Sequence, residues 1–383
     1  MNKKMRNKYK ILLSVCLFYL IFILLFISKF DFNISSTIEL SEYHTDVYNS
    51  KLPDNLIIQI NSDGYDGQFY YLMSINPTWY KIEKIDPHFL QRILYPLFAY
   101  LFALGNKSLI PWSLLLINLF SIVVGTYILI LILNKYKSKL NMVYLWAFNI
   151  GFLICIIRDL TSPLMFLFVL LSIYCIENKH FKLSSLFLSF AILTRETTLL
   201  IIFPILLFYL IKKDFKKTAI FSFPLLVFFV WQFLLFIKLG HVPILLHSSR
   251  MDFPFIGLIK YISWIKFPKS LNECYLYFSI FPILFFSFIQ VYVICKSKKK
   301  NITIYSLVLI FQLIFMFSLK LNIYTQEIGG VGRFAIALLL FSILYSAERK
   351  EKYNVLLIII SLLMSLGYFI VKIIIFHVEY LIS

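Results

Sequence analysis

The sequence predicts an all-α polytopic membrane protein with about eleven transmembrane helices and a first extracytoplasmic loop that carries juxtamembrane helices. Three observations predict it. Of 383 residues, 60% are hydrophobic and only 15% charged, too little polar surface for a soluble domain of this length. The apolar residues fall in long blocks that are apolar all round, and such helices belong in lipid because a chain this short cannot build a core large enough to hide them. The basic residues behind the formal charge of +18 cluster in short runs between the blocks: Lys3 to Lys10, Lys135 to Lys139, Lys212 to Lys217, Lys296 to Lys300 and Arg349 to Lys352. That is the pattern of cytoplasmic loops under the positive-inside rule. A nucleic-acid surface would need a continuous basic stripe on a soluble domain, and no such domain is available. The alternation of a membrane barrel is also absent.

The whole chain, 1–383, reads as one integral membrane domain, threaded as follows. Residues 1–10 are basic, and 11–27 form the first span, from cytoplasm to outside. Its flank, Ser28-Lys29-Phe30-Asp31, offers no small-residue cleavage site, so an uncleaved helix is expected. Residues 28–108 form an extracytoplasmic loop rich in acids and aromatics. Its apolar stretch 92–104 is expected to be a juxtamembrane helix, because a span there would turn every later basic loop outward. A helical module covers 109–239: spans at 109–133, 141–157 and 163–176, then two short halves within 184–211, then a span at 218–239. The two halves are required because the segment starts and ends beside basic loops; they meet near Thr194-Arg195-Glu196, and broken helices at membrane depth line cavities. An outer loop at 240–274 precedes the C-terminal spans of 275–377: 275–295, 303–319, 333–347 and 353–377.

The informative polar residues converge on the outer face of this map. Asp63-Gly64-Tyr65-Asp66-Gly67-Gln68 places two carboxylates three apart, each followed by glycine, in a tight turn that can aim both at one point. Such a pair suits a general base or a divalent cation, and equally two ordinary Asx turns. Arg158-Asp159 sits at a helix end, where charges also snorkel. Arg195-Glu196 lies inside a long apolar segment, where burying charge is expensive and functional use is the default, with a self-satisfied ion pair as the alternative. Glu327 opens a three-glycine stretch ending in Arg333, a residue type suited to phosphate; Arg92 is a weaker candidate of the same kind. In the outer loop His241, His247, Arg250 and Asp252 read as loop residues, since six-residue spacing gives the histidines no common helical face. The five cysteines show no metal spacing, and no phosphate-binding glycine loop is present.

Gly64-Tyr65-Asp66-Gly67-Gln68-Phe69-Tyr70-Tyr71, Gln91-Arg92-Ile93-Leu94-Tyr95-Pro96-Leu97, Arg158-Asp159-Leu160-Thr161-Ser162-Pro163 and Leu193-Thr194-Arg195-Glu196-Thr197 come in an order that resembles the C-type glycosyltransferase superfamily of membrane enzymes. The closest likeness is to a bacterial group linked to cell-surface glycopolymer formation. The resemblance covers roughly the N-terminal half, where the superfamily's shared module lies. It implies transfer of a sugar from a polyprenyl-phosphate donor to a cell-envelope glycan or lipid acceptor at the outer face of the cytoplasmic membrane. Asp66 would be general base with Asp63 beside it, and Asp159 the second acidic site. Arg195 and Arg333, assisted by Arg158 or Arg92, would hold the lipid phosphate. Tyr65, Gln68, Tyr70, Tyr71, Glu196 and Glu327 would line the sugar and acceptor site. No cofactor is implied with certainty, and a divalent metal is left open. A large extracytoplasmic C-terminal domain found in some relatives is not expected here, which leaves acceptor recognition to membrane loops. The rival expectations are a flippase or transporter of lipid-linked sugars and a non-catalytic subunit of a surface-polysaccharide assembly system.

Overall fold

The computed structural model describes residues 3–45, 52–76, 85–246, 251–265, 271–296, 302–325, 328–350 and 367. Glu327, His247, Arg250 and, residue 367 aside, the last expected span at 353–377 lie outside the described residues.

The chain starts with helix α1 (Lys3–Ile27). The expected extracytoplasmic loop then folds into short pieces: 3-10 turns at Ser28–Phe30 and Ile34–Thr37, strand β1 (Leu40–Ser41), α2 (Glu42–Thr45) and β2 (Ile58–Gln59). The strands pair in parallel, Leu40 opposite Ile58. Three helices follow: α3 (Gly67–Ile75), α4 (Pro87–Leu90) and α5 (Leu94–Phe102). Nine residues are far too few to cross a bilayer, so the helix within the expected 92–104 stretch does not span one.

The helical body comprises α6 (Ile110–Lys135), α7 (Val143–Ala147), α8 (Ile150–Ile157), α9 (Ser162–Glu177), α10 (Phe181–Thr194), α11 (Leu199–Ile211) and α12 (Phe215–Leu239). After α13 (Pro243–Leu246) and α14 (Ile256–Trp264) come α15 (Leu271–Lys296), α16 (Ile304–Phe317), α17 (Leu321–Thr325) and α18 (Ile328–Arg349). Among the described residues four helices are long and apolar enough to cross a membrane: Arg6–Phe30, Lys107–Lys135, Phe215–Leu239 and Val331–Arg349. A fifth span results if the pair Leu140–Ala147 and Ile150–Ile157, bent by 43°, counts as one. The bend follows from Asn149, which leaves the helix and accepts a hydrogen bond from the Gly151 N–H at 2.8 Å. Helices α9, α10, α11 and α16 are apolar but have only 13 to 16 residues, short of the ~20 that a straight crossing needs. The long apolar helices make this an all-α protein suited to a membrane. Helix α12 carries exposed Phe229, Phe233 and Ile237, an outward apolar face that lipid satisfies and water does not.

Helices α10 and α11 are separated at Arg195, which is extended (φ −160°, ψ 129°), so the two expected halves meet at the expected residues. Helix α18 packs on α8 through facing glycines. A Cβ on Gly151 would lie 2.5 Å from the Gly332 carbonyl oxygen. Small residues are what allow helix backbones in lipid to approach this closely. Gly151→Ala is therefore expected to destabilise the protein by about 1–3 kcal/mol, as overpacking does. It should also displace Arg333, the residue after Gly332; thermal unfolding in detergent measures the first effect.

Candidate functional site

The turn before α3 decides what the two acids of the first loop do. Gly64 takes a left-handed φ of +66°, and the chain then enters α3 with Asp66 at its N-cap position. The Asp66 carboxylate does not cap its own helix. It accepts a hydrogen bond at 3.0 Å from Nη1 of Arg333 on α18, 267 residues away in sequence. Gly67 lets this turn press against α8, since a Cβ there would stand 2.3 Å from the Arg158 carbonyl oxygen. Asp63 points elsewhere and is exposed. The expectation that both carboxylates aim at one point therefore holds for Asp66 alone, because the left-handed turn at Gly64 and the helix start separate the two directions.

Tyr65 joins the arginines of two helices. The Arg158 guanidinium stacks 3.8 Å from its ring centroid, and that of Arg333 lies 5.6 Å away. Arg158 also pairs with Glu39 at 3.4 Å. Neither Glu39 nor its role stood out in the sequence, because it belongs to no motif; its left-handed φ of 52° aims it from the first loop.

A second cluster surrounds Glu196. Arg92, only 2% exposed, donates from Nε and Nη2 to the two Glu196 carboxylate oxygens at 2.8 and 2.7 Å. Its Nη1 donates to the Tyr70 hydroxyl at 2.6 Å. This is a two-point clamp between a guanidinium and a carboxylate, strong and directional. It consumes Glu196, so the residue next to Arg195 in sequence is not its counter-ion. Arg195 instead donates to the Ser162 hydroxyl at the start of α9 and lies 5.7 Å from the Phe334 ring centroid. Its Nε is buried with no hydrogen-bond partner. No ion pair joins Arg195 to a carboxylate among the described residues. Among the described residues Arg92, Arg158 and Arg333 pair with Glu196, Glu39 and Asp66, while Arg195 is buried without an ion-pair partner. An unpaired buried charge is costly, and an anion removes that cost.

A cavity of about 20 Å³ separates Arg195 from Arg333, edged by Ser162, Thr197, Gln312 and Phe334. That space suits one water. On the other side of α9 an apolar groove of about 650 Å³ runs between α5, α6 and α9, walled by Phe98, Phe102, Trp112, Phe120 and Phe168.

The remaining expected residues fall outside this constellation. Gln68 is buried, accepting from the Ser41 N–H at 3.0 Å and donating to the Asp63 carbonyl at 2.9 Å; it pins the loop. Tyr71 is fully buried. Asp159 is fully buried in the elbow between α8 and α9, away from the arginines, and its Oδ2 accepts from the Thr37 hydroxyl at 2.7 Å. Its Oδ1 has no hydrogen-bond partner. Burial, only partly offset by Thr37, pushes its pKa up to about 8. Burial thus favours the neutral carboxyl at Asp159, which contacts Thr37 and pairs with no arginine among the described residues. Among the described residues no group of three or more His, Cys, Asp or Glu side chains could hold a metal ion.

The raised pKa gives a signed prediction. Between about pH 4 and pH 8 the unfolded chain has released this proton while the folded chain retains it. Stability is therefore full below pH 4 and falls as pH rises, by up to ~1.4 kcal/mol per unit, levelling off above pH 8. Asp159→Asn should remove that slope while keeping the Thr37 contact. Melting temperatures in detergent from pH 5 to 8 compare the two.

No family model, curated protein or solved structure matches this chain.

Proposed function

We propose that this protein is a membrane glycosyltransferase that moves a sugar from a polyprenyl-phosphate donor to a cell-envelope glycan or lipid acceptor at the outer face of the cytoplasmic membrane. The observation that carries this reading is Arg195, buried with an unpartnered Nε and no ion-pair partner among the described residues, facing Arg333 across a small cavity, with one carboxylate, Asp66, already on Arg333. Two arginines from different helices suit a phosphate. The apolar groove across α9 supplies a surface for a hydrocarbon tail. The motif order in the N-terminal half supports the same reading. On the proposed topology the eleven spans leave basic loops in the cytoplasm and the arginine cluster near the outer leaflet.

In the proposed reaction Asp66 takes the proton of the acceptor hydroxyl. That oxygen attacks the anomeric carbon, and the bond from this carbon to the phosphate oxygen breaks with inversion. The departing phosphate keeps the electron pair, and Arg195 and Arg333 neutralise it in a site with little water, where such stabilisation is largest. Tyr65, with the Arg158 guanidinium 3.8 Å and that of Arg333 5.6 Å from its ring centroid, is proposed to contact the sugar.

The test is binding of undecaprenyl phosphate to the purified protein in nanodiscs, followed by transfer from sugar-loaded lipid. Arg195→Gln keeps a polar group at the position but removes the charge. It is expected to weaken lipid-phosphate binding about ten- to a hundredfold, the worth of charged hydrogen bonds. Unchanged binding in that variant, or lipid translocation without a covalent product, would overturn the reading.

A further inference from the structure

His88 is 6% exposed and lies on α4, four residues before Arg92. Asp86 caps this short helix by accepting the His88 N–H at 2.9 Å, which fixes the direction of the imidazole. Its Nε2 is 2.7 Å from Arg92 Nη2 and 3.9 Å from Glu196 Oε1. Its Nδ1 is 3.0 Å from the Gln91 side-chain amide, which continues at 3.2 Å to Gln232 on α12.

The donor inventory settles the proton's place. A guanidinium only donates, so at 2.7 Å His88 Nε2 must be the acceptor and carry no proton. A doubly protonated ring would set two N–H donors against each other at that distance. The single ring proton then belongs on Nδ1, and it needs an acceptor. Gln91 supplies one when its side-chain oxygen faces His88; its NH2 then faces Gln232, whose amide turns with it to offer its own oxygen, giving up the 3.4 Å contact with the Ile244 N–H, since amide oxygen and nitrogen are interchangeable in shape. The result is a directed chain ending on Arg92.

We propose that His88, neutral and protonated on Nδ1, is a positioning residue that holds Arg92 on Glu196 and thereby leaves Arg195 uncompensated for an anionic ligand. Arg92 Nη2 has two hydrogens, one for Glu196 and one for His88. With both used, the guanidinium plane is fixed and Glu196 is held from two atoms. Without the His88 acceptor the guanidinium can rotate, and Glu196 is released toward the neighbouring Arg195, whose charge it would cancel. The ligand consequence rests on the phosphate-binding reading above; the clamp itself does not.

The experiment has two arms on the full-length protein in nanodiscs. In the first, ¹⁵N NMR of histidine-labelled wild-type protein at pH 7 reads the tautomer of His88, assigned by the signal missing in His88→Gln. The expected signature is a protonated Nδ1 and a bare Nε2; protonation on Nε2 or on both nitrogens would overturn the clamp. In the second arm undecaprenyl phosphate binding is measured for His88→Ala and His88→Gln. Loss of an acceptor for a charged donor should weaken binding about tenfold in His88→Ala. His88→Gln, whose side-chain oxygen reaches the Nε2 position, should stay within about twofold of wild type. Equal binding by His88→Ala, or weakened binding by His88→Gln, counts against the proposal. If His88→Ala does not fold, His88→Gln and the wild-type spectrum decide. Wild-type protein that fails to bind the lipid removes the functional reading, while the spectrum still upholds or rejects the clamp.

Discussion

Asp66→Asn is expected to move binding and catalysis in opposite directions: tighter association with undecaprenyl phosphate, and transfer lost. In the ligand-free chain Asp66 occupies the hydrogen-bonding edge of Arg333, at 3.0 Å, where the reaction needs the lipid phosphate. The cavity between Arg333 and Arg195, about 20 Å³, is too small for a phosphate until that ion pair opens. In the proposed reaction donor binding displaces the carboxylate, which is then free to accept a proton from the acceptor. Asparagine removes the competing charge. Affinity should rise about tenfold, equivalent to ~1.4 kcal/mol. The same change removes the base, and transfer should fall about 10²–10⁴-fold. Equilibrium binding and single-turnover transfer on the same preparation separate the two effects. A parallel loss of both would mean that Asp66 serves only to place Arg333. Asp63→Asn is the control: that side chain is exposed and should change neither.

The Asp66–Arg333 contact could not be read from the sequence, and the reasons are physical. The junction at Arg195 was legible because basic residues at both ends of 184–211 forbid a single crossing. The short α5 was legible for the same reason: the placement of basic residues left no room for a span at 92–104. Charge placement is a global constraint that survives in one dimension. The Asp66–Arg333 contact spans 267 residues and depends on α18 meeting α8 at Gly151 and Gly332, which no spacing rule encodes. The difference between Asp63 and Asp66 depends on one left-handed residue between them. Asp159 was expected as a second site acid on the resemblance alone; in the fold, neighbours in sequence point apart at a helix end, Arg158 to Tyr65 and Asp159 to Thr37. His88 and Glu39 left no motif at all. The one available hint to His88 was its four-residue spacing from Arg92 after an Asp-Pro helix start.

Glu196→Gln should cost more stability than any other single change in this region. Arg92 is buried, and Glu196 is the only carboxylate with which it pairs among the described residues, through two hydrogen bonds. Glutamine retains the shape but not the charge, leaving Arg92 buried without a counter-ion. Removing one partner of a buried pair typically costs about 3–5 kcal/mol. Against a typical native stability of ~5–15 kcal/mol, that loss is a large share and should lower the melting temperature in detergent. If the cost comes from the stranded charge rather than from lost contacts, a second substitution should reverse it. Arg92→Met combined with Glu196→Gln removes the stranded cation and fills similar volume, and it is expected to recover most of the melting temperature. The double variant should nevertheless bind lipid phosphate at least as well as wild type, because Arg195 then has no anionic competitor. Recovery of stability with loss of binding would instead place Arg92 itself on the phosphate, and Arg195 would lose its standing as the residue that binds it.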